Sequence, residues 1–112
     1  MITKEFIERN GAQLVKVTFM LPDSLWAESV CLVGDFNDWD RTTHMLSRNH
    51  RGEWWIDVEL DAGRFYQFRY ICDNDRWMND SDADAYIRNN HGSGNSVVVT
   101  EQSFKRYDGE GF

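Results

Sequence analysis

Apolar and polar residues alternate with a period of two along most of this chain, and no stretch carries apolar residues at helical spacing for more than a turn or two. Residues 3–9 read as a first strand, and Asn10-Gly11 after them is the strongest short hairpin signal. Val15, Val17, Phe19 and Leu21 then share one face, opposite Lys16, Thr18 and Met20. Pro22 ends that strand, and residues 23–28 form a loop holding Trp26. A third strand, residues 29–33, is followed by a long loop through Trp39 and a short strand at residues 44–48. After a turn at residues 49–52, Trp54, Ile56, Val58 and Leu60 face inward, with Trp55, Asp57 and Glu59 outward. Asp61-Ala62-Gly63 turns the chain into a strand where Phe68, Tyr70 and Cys72 alternate with Arg69 and Ile71, and residues 96–100 close the set.

Seven or eight short strands punctuated by turn signals predict an all-β fold, an antiparallel β-sandwich. The antibody-type Cys…Trp…Cys spacing is absent, which argues against a true immunoglobulin domain. At 112 residues the chain makes one domain, burying roughly two-thirds of the surface that its unfolded form exposes. Residues 1–101 are expected to be the sandwich. Residues 102–112 lack periodicity and read as a loosely held tail.

Charge and leader signals narrow the partners. The formal net charge of −7 argues against nucleic acid and anionic membrane, both of which reward Lys and Arg. The opening residues Met1-Ile2-Thr3-Lys4-Glu5 carry no apolar signal-peptide core, and no apolar run approaches a membrane span, so a cytoplasmic location is expected. Cys31 and Cys72 each fall inside a strand pattern and read as packed, reduced thiols, with a disulfide as the alternative.

The candidate chemistry lies in two turns. Gly34-Asp35-Phe36-Asn37-Asp38-Trp39-Asp40 sets a tryptophan among hydrogen-bonding side chains, and Asp73-Asn74-Asp75-Arg76-Trp77-Met78-Asn79-Asp80 does so again. A pyranose presents a flat C–H face and a rim of hydroxyls, so an apolar plate beside convergent polar groups is what it requires. Trp39 and Trp77 therefore read as stacking platforms; the competing reading is that they anchor loops and cap the sandwich. Alternation points Arg69 away from the face of Phe68 and Tyr70. Trp55 reads either as packing under the amino-terminal strand or as marking a partner surface.

Metal and catalytic readings are weaker. Asp73, Asp75, Asn79, Asp80, Asp82 and Asp84 echo a calcium loop, but counting from Asp73 the fifth and sixth positions hold Trp77 and Met78, where a ligand and glycine are needed. A solvated acidic loop is the expectation, with no metal and no cofactor. His44, His50 and His91 lack zinc spacing. Glycoside hydrolysis needs two carboxylates at a set separation across a water-excluding site, and no nucleophile motif or phosphate-cradling glycine loop is present. The chain is not expected to be an enzyme.

Four segments, in this order, resemble the glycogen-binding domain, also called the isoamylase N-terminal or early-set domain, of carbohydrate-binding module family 48. They are Val30-Cys31-Leu32-Val33-Gly34-Asp35-Phe36-Asn37-Asp38-Trp39, then Gly63-Arg64-Phe65-Tyr66-Gln67-Phe68-Arg69-Tyr70, then Trp77 with Asn79-Asp80, and Gly92-Ser93-Gly94-Asn95-Ser96-Val97-Val98-Val99. The resemblance implies an immunoglobulin-like early-set sandwich that binds α-1,4-linked glucan without catalysis. Relatives of this kind accompany the catalytic barrels of branching and debranching enzymes, occur in a kinase subunit, or stand alone. It also implies stacking by Trp39 and Trp77, a basic contact from Arg69 where kinase-type domains carry lysine, and hydroxyl contacts from Ser93 and Asn95. Asn95 reads equally as a backbone-bonding residue at the start of its strand. His91 stands where kinase-type domains place a leucine, and the loop from residue 73 to 77 is one residue longer. The alternative function is an interaction or regulatory module docking on a protein such as a glycan-metabolising enzyme; a subunit or remnant of a glycosidase is a third.

Overall fold

A computed structural model describes residues 1–88 and 94–104. It is a sandwich of two antiparallel sheets. One sheet runs β1 (Ile2–Arg9), β2 (Ala12–Leu21), β5 (Trp54–Asp61) and β4 (Ser47–Arg48) in the spatial order β1-β2-β5-β4. The other runs β3 (Val30–Gly34), β6 (Phe65–Cys72), β9 (Gly94–Val99) and β8 (Ala85–Arg88), with β7 (Arg76–Met78) also paired to β6. Because β9 pairs with residues 65–68 of β6 and β7 with residues 70–72, one edge of β6 is shared between two partners.

The alternation read from the sequence is what builds the interior. Val15, Val17, Phe19 and Leu21 of the first sheet meet Phe68, Tyr70 and Cys72 of the second in one buried cluster with Trp54, Val58 and Leu60. Phe19 and Phe68 join the layers edge-to-face, their ring centroids 5.1 Å apart and their planes at 68°, a geometry that aromatic quadrupoles favour. Asn10 and Gly11 both have positive φ (52° and 82°), the type I′ conformation whose twist matches that of paired strands.

Among the described residues nine strands form rather than seven or eight, and the two additions have a common cause. β7 is three residues long in a polar frame, and all four residues of β8 are exposed, so neither shows an alternating signal. The expected strand at residues 44–48 is instead a crossover. Met45 bridges to Cys31 in the second sheet, Leu46 is buried, and only Ser47 and Arg48 join β5 in the first. Trp55 lies between Met20 and Ser47 on the outer side of the first sheet, half-buried.

Cys31 and Cys72 are free, buried thiols. Cys72 pairs with Val30 and Cys31 with Ile71, so the two side chains point to opposite faces of the sheet. Burial raises the pKa of both, above all by desolvating the thiolate.

The acidic run is not a solvated loop. Asp80 is 1% exposed and accepts the Tyr70 hydroxyl at 2.6 Å and the Asp82 N–H at 2.7 Å. Asp84 accepts the Val99 N–H at 2.8 Å and pairs with Lys4 at 2.7 Å. These carboxylates satisfy backbone donors and a buried hydroxyl that would otherwise be stranded. Among the described residues no group of three or more His, Cys, Asp or Glu side chains could hold a metal ion, and no helix is long and apolar enough to cross a membrane. Residues 105–112, most of the expected tail, lie outside the described residues.

Candidate functional site

Strand β6 presents Phe68, Tyr70 and Cys72 to the interior and Gln67, Arg69 and Ile71 to the outside. Register then fixes what stands beside that outer row. Ile71 pairs with Cys31 of β3 on one side and with Trp77 of β7 on the other, and Arg69 pairs with Val33. Trp39 packs against the buried cluster that Cys31, Val33 and Ile71 form on this side. Both tryptophans therefore border the cluster that contains Ile71, on the same outer face, with Arg69 next along the strand.

Local bonding dictates how Trp39 arrives there. The chain leaves β3 through Gly34 into a 3-10 turn, Asp35–Asn37. At Gly34 a Cβ would lie 2.6 Å from the Gln67 carbonyl oxygen and 2.9 Å from Phe68 Cβ, so the close approach of β3 to β6 admits no side chain. Asn37 accepts the Gly34 N–H at 3.0 Å and donates to the Leu32 carbonyl at 3.0 Å, closing the turn. Asp38 and Trp39 follow with φ of 55° and 58°, a left-handed conformation that is an outlier for a bulky residue and persists only where the surroundings hold it. The Trp39 N–H donates to the Gly34 carbonyl at 3.0 Å, and its indole Nε1–H donates to Asp35 at 3.2 Å. The other oxygen of Asp35 accepts the Gln67 N–H at 2.8 Å, so one carboxylate ties the indole to β6.

Trp77 belongs to a strand, not to the loop that its polar frame predicts. It is 41% exposed. The Arg69 guanidinium carbon lies 5.4 Å from its ring centroid and that of Arg41 lies at 5.3 Å, within cation–π range. Arg69 is half-buried, and its Nε has no hydrogen-bond partner among the described residues; it is held against the sheet rather than free in solvent. Arg41 comes from the loop after Trp39 and also donates to the Asn74 carbonyl at 3.3 Å, thereby linking the two tryptophan-bearing segments. Sequence patterning misses Arg41, because a loop arginine without periodicity carries no signal.

Asn95 is on β9, and its amide donates to Gln67 Oε1 at 3.1 Å, extending the polar rim of the same face. Asn79 pins that region: it donates to the Gly94 carbonyl at 2.9 Å and accepts the Ser96 N–H at 2.9 Å and hydroxyl at 2.8 Å. The structure thus brings together Trp39, Arg69, Trp77 and Asn95 on one sheet. Ser93 and His91 lie outside the described residues.

Comparison with known proteins agrees with this architecture. The family described as the glycogen recognition site of AMP-activated protein kinase matches residues 17–106. The chain is also similar to the 1,4-alpha-glucan branching enzyme GlgB of Mesorhizobium japonicum, 39% identical over 67 residues that make up 58% of this chain. The enzyme of the same name from Nitrosomonas eutropha is 32% identical over 84 residues, 73% of this chain. Each match covers 9% of the relative's length. With the sandwich, the outer face of β6 and a family match spanning most of the sequence in agreement, the chain belongs to the glycogen-recognition family of carbohydrate-binding modules.

Proposed function

We propose that this protein binds α-1,4-linked glucan without catalysis, through the outer face of the second sheet. Trp39 and Trp77 stack on glucose faces, Arg69 and Asn95 hold hydroxyls, and Ser93 adds a further polar contact. The single observation that supports this most is that two tryptophans from separate segments border one outer cluster, Cys31, Val33 and Ile71, rimmed by Arg69, Gln67 and Asn95. Glycan-metabolising enzymes, the class to which the relatives' names belong, are the fitting protein partners. The protein-docking alternative would call for an apolar patch joining Trp26 to Trp55. Trp26 has acidic neighbours, and Trp55 is not among the residues lining its cleft.

An open face buries only part of an oligosaccharide, and each hydroxyl bond replaces one made to water. Affinity for maltoheptaose is accordingly expected at a Kd of about 10 μM to several mM, or roughly −4 to −7 kcal/mol. Trp39→Ala or Trp77→Ala should each cost about 2 kcal/mol, the scale of an interface hot spot. NMR titration of the indole N–H signals with maltoheptaose, and with cellohexaose as control, provides the test. If Trp39 and Trp77 stay still at millimolar maltoheptaose, the reading fails.

A further inference from the structure

We propose that the cleft around Trp26 is a second α-glucan-binding site, on the other side of the β6–β7 hairpin from Trp77. Its ligand class rests on the glucan reading of the first site; its existence rests on separate residues. Trp26 is 86% exposed, the most exposed large hydrophobic side chain among the described residues, and its flat indole offers a stacking surface. It borders a cleft of about 590 Å³ lined also by Leu25, Ala27, Asp23, Glu28 and Arg48, within the range of roughly 300–1,000 Å³ common to small-molecule sites.

The loop that carries Trp26 is anchored at its backbone while its ring is left free. The Trp26 carbonyl accepts Arg76 Nη2 at 2.6 Å, and the Glu28 and Ser29 N–H groups donate to Asp73 Oδ1 at 2.7 and 3.0 Å. Arg76 closes the loop by pairing with the other oxygen of Asp73 at 3.1 Å. Little chain entropy is then lost when a ligand stacks on the indole, which favours binding. Arg48 is likewise preset, its guanidinium carbon 4.7 Å from the Trp54 ring centroid.

The lining selects the ligand. Carboxylates at Asp23 and Glu28 accept hydroxyl protons and repel anions, so phosphate, nucleotide and acidic peptide are disfavoured. Arg48 donates to ring or hydroxyl oxygens, and the indole supplies the plate for a C–H face. A neutral hexose satisfies all three. Arg76 and Trp77 are successive residues of β7 and point to opposite sides of it, so the same hairpin that steadies the Trp26 loop presents Trp77 to the first site. Two weak sites on one small body gain avidity on a polymer that each lacks on a short sugar.

The test uses the full chain, with each of the five indole N–H signals assigned by single Trp→Phe substitutions. Maltoheptaose should shift the Trp26 signal saturably, and should still do so in the Trp39→Ala/Trp77→Ala double variant. Trp26→Ala should leave the maltoheptaose Kd read from Trp39 and Trp77 unchanged, while lowering retention on glycogen several-fold. A Trp26 signal that stays still at tens of millimolar maltoheptaose in both proteins overturns the proposal, whatever Trp39 and Trp77 do. Equal shifts with cellohexaose overturn the α-glucan assignment. Shifts at Trp26 with none at Trp39 or Trp77 would uphold this site and reject the first one.

Discussion

Arg41 shows how much one side chain can contribute by position alone. It reaches from the segment after Trp39 to the Trp77 ring and the Asn74 carbonyl, so it helps set the spacing of the two rings. An exposed cation–π contact is worth about 0.5–1 kcal/mol, and Arg41→Ala is expected to raise the maltoheptaose Kd roughly two- to fivefold. Methyl α-glucoside, a single sugar ring that can stack on only one tryptophan, should bind the variant as before; equal losses for both sugars would mean that Arg41 touches the ligand instead. Gly34 works in the opposite way, by what it lacks. A methyl there meets backbone at 2.6 Å, and β3 would have to move away from β6. Such overpacking costs about 1–3 kcal/mol, so Gly34→Ala should lower Tm by about 4–24 °C, at roughly 4–8 °C per kcal/mol. A Tm within two degrees of the parent would show that the strands separate freely there.

Among the elements, the β6–β7 hairpin has the greatest reach, because its first turn residue anchors the loop that leads into β3 beside it. The Glu28 and Ser29 N–H groups hold the Asp73 carboxyl below the usual carboxylate range, with Arg76 adding to the effect. A depressed folded-state pKa stabilises the fold above the unfolded value, about 3.9, and that contribution fades as pH falls through the folded value. Tm measured from pH 5 to 2.5 should therefore fall more steeply for the parent than for Asp73→Asn, and the gap between them should narrow on acidification. A gap independent of pH would assign the tie to geometry rather than charge. Legibility from sequence divides along the same line. β2, β5 and β6 could be read because one face of each is buried and the other, Ile71 apart, is not, and the Asn10-Gly11 turn because its two positive φ values demand those residues. β7 and β8 could not, since a strand made by pairing alone leaves no periodic trace. Trp39 and Trp77 stood out by their polar surroundings, and Arg69 by alternation. Arg41 and the bracing carboxylates Asp35, Asp80 and Asp84 act across the fold, and the same acidic composition describes a solvated loop equally well.

For the molecule as a whole, charge and ligand are decoupled. The net charge of −7 acts on ions within a Debye length of about 8–10 Å, whereas a neutral sugar bound as proposed would be held by stacking and hydrogen bonds. Maltoheptaose affinity is expected to change less than twofold between 0.05 and 1 M NaCl, read by isothermal titration or indole shifts; a tenfold loss would mean that ionic contacts dominate. Beneath that behaviour lies the two-sidedness of β6, with Phe68, Tyr70 and Cys72 in the interior and Gln67, Arg69 and Ile71 outside. On the proposed reading, selection for folding and selection for ligand thus read largely separate letters of one eight-residue word. A lineage can then rewrite Gln67 and Arg69, and with them its preferred sugar, while Phe68, Tyr70, Cys72 and the buried Ile71 keep the protein intact.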